Sequence, residues 1–383
     1  MSVTAAQGFR ASGVAAGLKS SGAADVAMVV NDGPSSTAAA VFTGNRCKAN
    51  PVIWSQEAIK AGSARAVALN SGGANCYTGA DGFAVTHATA ETVADELGIG
   101  AVDVQVCSTG LIGLLNDRED LLAGVRRAMD VLDADGGPAA AEAIMTTDSV
   151  PKQAVVTRDG YTVGGMAKGA GMLAPALATM LVVITTDAEL EADQADAALR
   201  AATRTTFDRL DSDGCQSTND TVLLMASGAS GERPDPDAFV ELLREVCHDL
   251  ARQLLADAEG ADHEITIDVV NAASEDDAVE VGRSIARSNL FKCAIFGKDP
   301  NWGRILASVG TTDAAFDPAD LDVALNDVWV CRNSGPGEPP TSVSLEERAV
   351  TVTVDLKAGD ARASVWTNDL THAYVHENSA YST

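Results

Sequence analysis

Hydrophobic positions along the chain cluster in short runs of two kinds. The first kind reads as strands: Val26–Val30, Ala38–Phe42, Ala66–Leu69, Val102–Val106, Met180–Ile184, Thr221–Met225 and Ile265–Val270. Val350–Leu356 alternates apolar and polar residues strictly, the mark of a strand with one wet face. The second kind recurs at helical spacing. Leu121, Val125, Met129 and Leu132 form one stripe over Arg118–Leu132. Phe239, Leu242, Leu243, Val246, Leu250 and Leu254 form another over Asp237–Ala258, entered through Pro234 and Pro236. Leu190–Leu210 is a third helix candidate. Asp133–Ala139, Ser227–Asp237 and Asn333–Ser344 are rich in Gly, Pro and acidic residues and read as surface connections. Strands and helices mix without a regular βαβ rhythm. The expected class is α/β (α+β), a layered body and not a doubly wound sheet.

Charge narrows the partners. The 383 residues carry 27 Lys and Arg against 54 Asp and Glu, a net charge of −27, and no basic patch that would track a phosphate backbone. Nucleic acid is therefore not an expected partner. The cations comprise 8 Lys and 19 Arg. An acidic, Lys-poor surface repels itself unless salt screens it, so adaptation to a high-salt cytosol is expected, against the plainer reading of a merely acidic protein. A 46% hydrophobic share excludes wholesale disorder. Seven scattered Cys, with no CxxC pair, speak against a disulfide framework or structural zinc and for a reducing compartment. The start MSVTAAQGFRASG lacks a signal peptide's apolar core, and the longest apolar stretch, Met172–Ile184, holds Pro175 and is too short to span a bilayer. A cytoplasmic location and no membrane partner are expected.

Familiar chemical motifs are missing. There is no GxxxxGK[ST] loop, no HExxH and no GxSxG elbow, and the pair His372/His376 is a weak metal candidate, so no metal is expected. The informative stretch is Gly160–Thr186, which has five Gly and one charged residue, Lys168. A buried Lys needs an anion from the protein or from a ligand, and the competing reading is a side chain that snorkels to water. Composition weighs these equally. Ala178-Thr179 precedes the apolar run from Met180. Thr179 there either packs in a sheet or, if the bond before it is cut, gains an α-amine that serves as base for its own hydroxyl. The residues alone favour packing. Ser108-Thr109-Gly110 follows a strand and can aim a hydroxyl and an N–H at one point, a weak signal on its own.

Several segments taken together resemble one family. They are GFRASGVAAGLK, VFTGN at Val41–Asn45, NSGGAN at Asn70–Asn75, STGLIG at Ser108–Gly113, IMTTD at Ile144–Asp148 and VGGMAKGAGMLAP…ATML at Val163–Leu181. STND at Ser217–Asp220, DAEG at Asp257–Gly260, GKDPNWGR at Gly297–Arg304 and the terminal ENSAYST continue the series. The chain is similar, nearly end to end, to the ornithine acetyltransferases (glutamate N-acetyltransferases) of arginine biosynthesis. It departs from them at Gly73, where the motif carries Asn, and at Cys107 before STG.

The resemblance implies a self-processing enzyme with an N-terminal threonine nucleophile in a layered sandwich of helices around β-sheets. The precursor cuts itself between Ala178 and Thr179. Residues 1–178 become an α chain and residues 179–383 a β chain, together one folded body in an α2β2 assembly. Thr179 carries acetyl from N-acetylornithine to glutamate by ping-pong transfer, with Thr109 and Gly110 holding the oxyanion. Thr146, Lys168, Thr179, Glu259, Asn378 and Thr383 bind substrate, with Thr147 a competitor for the place of Thr146. No cofactor is implied, and acetyl-CoA stays open as a second acetyl donor. A different class, a self-processing aminopeptidase or amidase with water as acceptor, would use the same nucleophile, and an uncleaved binding protein would use none.

Overall fold

The computed structural model describes residues 2–174 and 180–380. Among these residues three sheets carry the architecture. The first contains β1 (Phe9–Val14), β2 (Val26–Asn31), β4 (Ala66–Asn70) and β5 (Val104–Ser108), in the order β1-β2-β4-β5. The second has the order β3-β9-β8-β7-β6, with β3 (Ala38–Phe42), β6 (Lys152–Arg158), β7 (Tyr161–Lys168), β8 (Leu181–Thr186) and β9 (Thr221–Ala226). In the third, β13 (Gly335–Pro336), β12 (Val328–Arg332), β11 (Asp322–Leu325), β14 (Ala349–Asp355), β10 (Glu264–Ala272) and β15 (Ala361–Asn368) lie side by side.

The apolar runs are continuous because the first two sheets are covered on both faces. Ala27 and Val29 of β2 point into a core shared with Leu181, Val183, Leu223 and Met225 of the second sheet. The alternate residues Val26, Met28 and Val30 face α2 (Gly79–Leu97) and α3 (Arg118–Asp130). α1 (Asn50–Ala58) covers the edge strand β5, where the Ser55 hydroxyl donates to Val106 O and accepts from Val106 N, both at 2.9 Å. The short α4 (Gly137–Ala143) lies in the inner core, with Ala140, Ala141 and Ala143 fully buried. Val182, Ile184, Val222 and Leu224 on the far face of the second sheet pack on α5 (Ala192–Arg204) and α6 (Pro236–Ala256). The sandwich is helix, sheet, sheet, helix. The third sheet has its own core against α7 (Glu275–Ala286), α8 (Asn289–Phe296) and α9 (Trp302–Val309). Trp366 of β15 joins it to the α6 layer. α10 (His372–Ala380) ends the described chain.

The expected layered α/β class is therefore borne out, and the local boundaries differ most instructively in the following places. Val102 is 61% exposed in a helical turn, Ala101–Asp103, and the strand begins at Val104. The connection expected at Asp133–Ala139 runs into α4, because the small residues of that helix let it enter the core. The helix expected over Leu190–Leu210 stops at Arg204, and a single 3-10 turn at Phe207–Arg209 follows. No described helix is long and apolar enough to cross a membrane.

Candidate active site

The loop after β5 is built on close backbone contact. Gly110 has φ +121°, and a Cβ there would stand 3.1 Å from the Gly73 backbone, so position 110 needs glycine's slimness. Buried amides hold the loop. Asn70 O accepts from Thr109 N at 2.9 Å, Asn70 Nδ2 donates to Ser108 Oγ at 2.8 Å, and Asn116 Nδ2 donates to Asn70 Oδ1 at 2.9 Å. Thr109 and Gly110 face a pocket also lined by Thr146, Lys168, Asn219, Glu259 and Asn378.

Lys168 ends β7, and its side chain is 2% exposed. That excludes snorkelling. Its ammonium donates to Thr146 Oγ1 at 2.6 Å and to Thr109 Oγ1 at 3.3 Å, so both hydroxyls keep their own hydrogens for another acceptor. Its third hydrogen is left for an acceptor in the pocket. The nearest carboxylate, Asp148, lies 3.9 Å away and is already engaged. Asp148 accepts from Lys152 Nζ and Gly169 N at 2.6 Å and from Thr146 N at 3.0 Å. Lys152 in turn reaches Asp257 at 2.6 Å. Burial pushes the Asp148 carboxyl up, but Lys168, Lys152 and these hydrogen bonds outweigh it and hold the acid at about 2. For Lys168, burial lowers the proton affinity, Asp148 opposes that and Lys152 adds to it.

The opposite wall comes from the segment after α6 and from α10. Glu259 follows α6, its N–H bonded to Ala170 O at 3.0 Å, and Gly171 leaves room for its carboxylate. Asn378 of α10 donates to Glu259 Oε2 at 2.9 Å and to Tyr374 O at 3.0 Å. Among the described residues Glu259 has no salt-bridge partner. The site thus offers one ammonium, one carboxylate and a pair of donors at Thr109 and Gly110. That set suits a zwitterionic amino acid bearing a carbonyl.

A family model described as the ArgJ family matches residues 10–383. The chain belongs to the ArgJ family. It is 64% identical over 382 residues to the "Arginine biosynthesis bifunctional protein ArgJ" of Streptomyces coelicolor, covering all of both chains. It is likewise 64% identical over 383 residues to the protein of that name from Thermobifida fusca. A solved structure of ornithine acetyltransferase complexed with ornithine, from Mycobacterium tuberculosis, is 55% identical with a TM-score of 0.45, covering 47% of this chain and 96% of that one.

Of the residues singled out in this ArgJ family chain, Thr109, Gly110, Thr146, Lys168, Glu259 and Asn378 line one pocket, and Thr147 lines it too. Thr146 is the one bonded to Lys168. Ala178, Thr179 and Thr383 lie outside the described residues. Met180, next in the chain after Thr179, donates its N–H to Asp220 at 3.1 Å. β7 and β8 pair with Lys168 opposite Leu181, so Met180 lies at the end of β7 that carries Lys168. The sequence reading passed over Lys152, Asp148, Asp257 and Asn219. Asp148, Asp257 and Asn219 stood only as positions inside longer motifs and Lys152 in none of them, because nothing in a lone Asp announces that it will be buried between two lysines. His372 meets Phe296 edge to face with ring centroids 5.4 Å apart, and among the described residues no group of three or more His, Cys, Asp or Glu can hold a metal ion. All seven cysteines are free.

Proposed function

We propose that the chain transfers acetyl from N-acetylornithine to glutamate in arginine biosynthesis, through an ester on Thr179. The observation that carries this reading is the strand register that starts β8 opposite Lys168, two residues after Thr179, with Thr109 and Gly110 lining the same pocket as Lys168. In this account the bond between Ala178 and Thr179 is cut, and residues 1–178 and 179–383 remain one body. Interleaving supports that: β8 and β9 from the second piece lie between β7 and β3 of the first.

Chemically, the Thr179 hydroxyl gives its proton to its own α-amine and attacks the acetyl carbonyl. The oxyanion is met by the Thr109 hydroxyl and Gly110 N–H, a donor of the kind whose loss costs about 10²–10³ in rate. The C–N bond breaks, the proton passes to the departing ornithine amine, and acetyl stays as an ester. The glutamate amine then attacks that ester, and N-acetylglutamate leaves as Thr179 recovers its proton. Lys168 takes a substrate carboxylate. Glu259, held by Asn378 Nδ2, takes the ornithine side-chain ammonium with Asn378 Oδ1 as a further acceptor, and Thr383 takes the α-carboxylate. No cofactor enters this route; acetyl-CoA as a second donor, cytoplasmic location and an α2β2 assembly complete the proposal. Incubation with N-acetylornithine, with and without glutamate, tests it. N-acetylglutamate formed in proportion to ornithine supports the transferase, and free acetate released regardless of glutamate favours the amidase.

A further inference from the structure

The Ser217–Asp220 turn reaches in two directions. Asn219, 4% exposed, donates both amide hydrogens, to Ala74 O and Ser108 O at 2.7 Å each. Its Oδ1 accepts from the Thr218 hydroxyl at 2.5 Å. Both donors of that amide are taken up within the protein, although Asn219 lines the pocket. Its effect falls on the loop: the Ser108 carbonyl belongs to the peptide leading into Thr109, so fixing it fixes the aim of Thr109 and Gly110. Asp220, fully buried, accepts the Met180 N–H at 3.1 Å through Oδ1, and Met180 O accepts from Thr221 N at 3.1 Å.

We infer that Asn219 and Asp220 are positioning residues, a single turn that sets the oxyanion loop in register with the chain at Met180 and hence with Thr179. Neither touches the reacting atoms. Asp220 acts through Oδ1 as the acceptor of the Met180 N–H. Burial pushes its acid well up, against the Met180 N–H, the Ser217 hydroxyl, Lys168 and the Thr43 hydroxyl, which favours the neutral form. The inference rests on the proposed use of Thr179.

The test measures cleavage by intact mass, thermal melting, kcat and KM with N-acetylornithine and glutamate. N219A and N219D lose both donors and lower kcat by about 10- to 100-fold with KM within about threefold, as expected for misaimed oxyanion donors. D220A slows cleavage and turnover by about tenfold or more, and D220N, which keeps an acceptor oxygen, recovers most of that loss. If N219A does not fold, N219D reads the same bonds, because it keeps the acceptor for Thr218. Unchanged kcat in the Asn219 variants overturns the inference. So does D220N as impaired as D220A, since a charge would then be required. A parent protein that transfers no acetyl overturns the proposed function instead, whatever the variants do.

Discussion

Lys168 shows what a single residue can and cannot announce. Its isolation in an apolar Gly-rich stretch marked it as chemically significant. Its partners could not be read, because Thr109 lies 59 positions and Thr146 lies 22 positions away. K168A should raise KM for N-acetylornithine by roughly 10- to 100-fold, the worth of a charge-assisted hydrogen bond of about 1.5–3 kcal/mol. An unchanged KM contradicts the role. Because burial lowers the Lys168 proton affinity, the alkaline limb of kcat/KM should fall below the ordinary lysine value of about 10.4, and K168R should move it up. Asp148 sets the acid side. Its folded value, about 2, lies below the unfolded carboxylate's. Its contribution to stability is thus complete above about pH 4 and drains away as pH falls toward the folded value. D148N should cost about 3–5 kcal/mol near neutral pH, as breaking a buried pair does, and should flatten the acid limb of a urea-denaturation series. Parallel limbs in parent and variant would refute this.

At the scale of elements, strands and helices that bury a regular pattern were legible. β2, β3, β9 and α6 fall almost where the periodicity puts them, since their neighbours demand only apolar volume. β7 was legible as an unusual segment and not as a central strand, because its glycines weaken every strand signal. The structure supplies the reason for them. A Cβ on Gly164 would stand 2.4 Å from the Ser2 carbonyl oxygen, whereas one on Gly165 would meet the end of the Leu250 side chain at 2.9 Å. Backbone cannot yield as a methyl group can. G164A should therefore destabilise by about 1–3 kcal/mol and G165A by distinctly less, measured by thermal or urea melts. Equal losses would show that the close approach at Ser2 does not constrain the strand.

For the molecule as a whole, layering was legible from mixed strand and helix patterns, but the division into a two-sheet sandwich and a separately cored third sheet was not. Pairings such as β3 with β9 join residues far apart in sequence, and no local pattern encodes them. The family motifs brought together residues that spacing alone left scattered. Net charge acts at this scale as well. With −27 spread over 383 residues, self-repulsion should weaken the fold at low salt, and the melting temperature should climb between dilute buffer and molar salt. A flat profile removes the case for salt adaptation.

The central claim is that residue 179 becomes a chain start within a body that stays whole. Intact-mass measurement of the purified, active protein tests this most directly. The account predicts two masses, for residues 1–178 and 179–383, which co-purify under native conditions, and one full-length mass for an inactive T179A. A single unbroken 383-residue chain that turns over N-acetylornithine would contradict it.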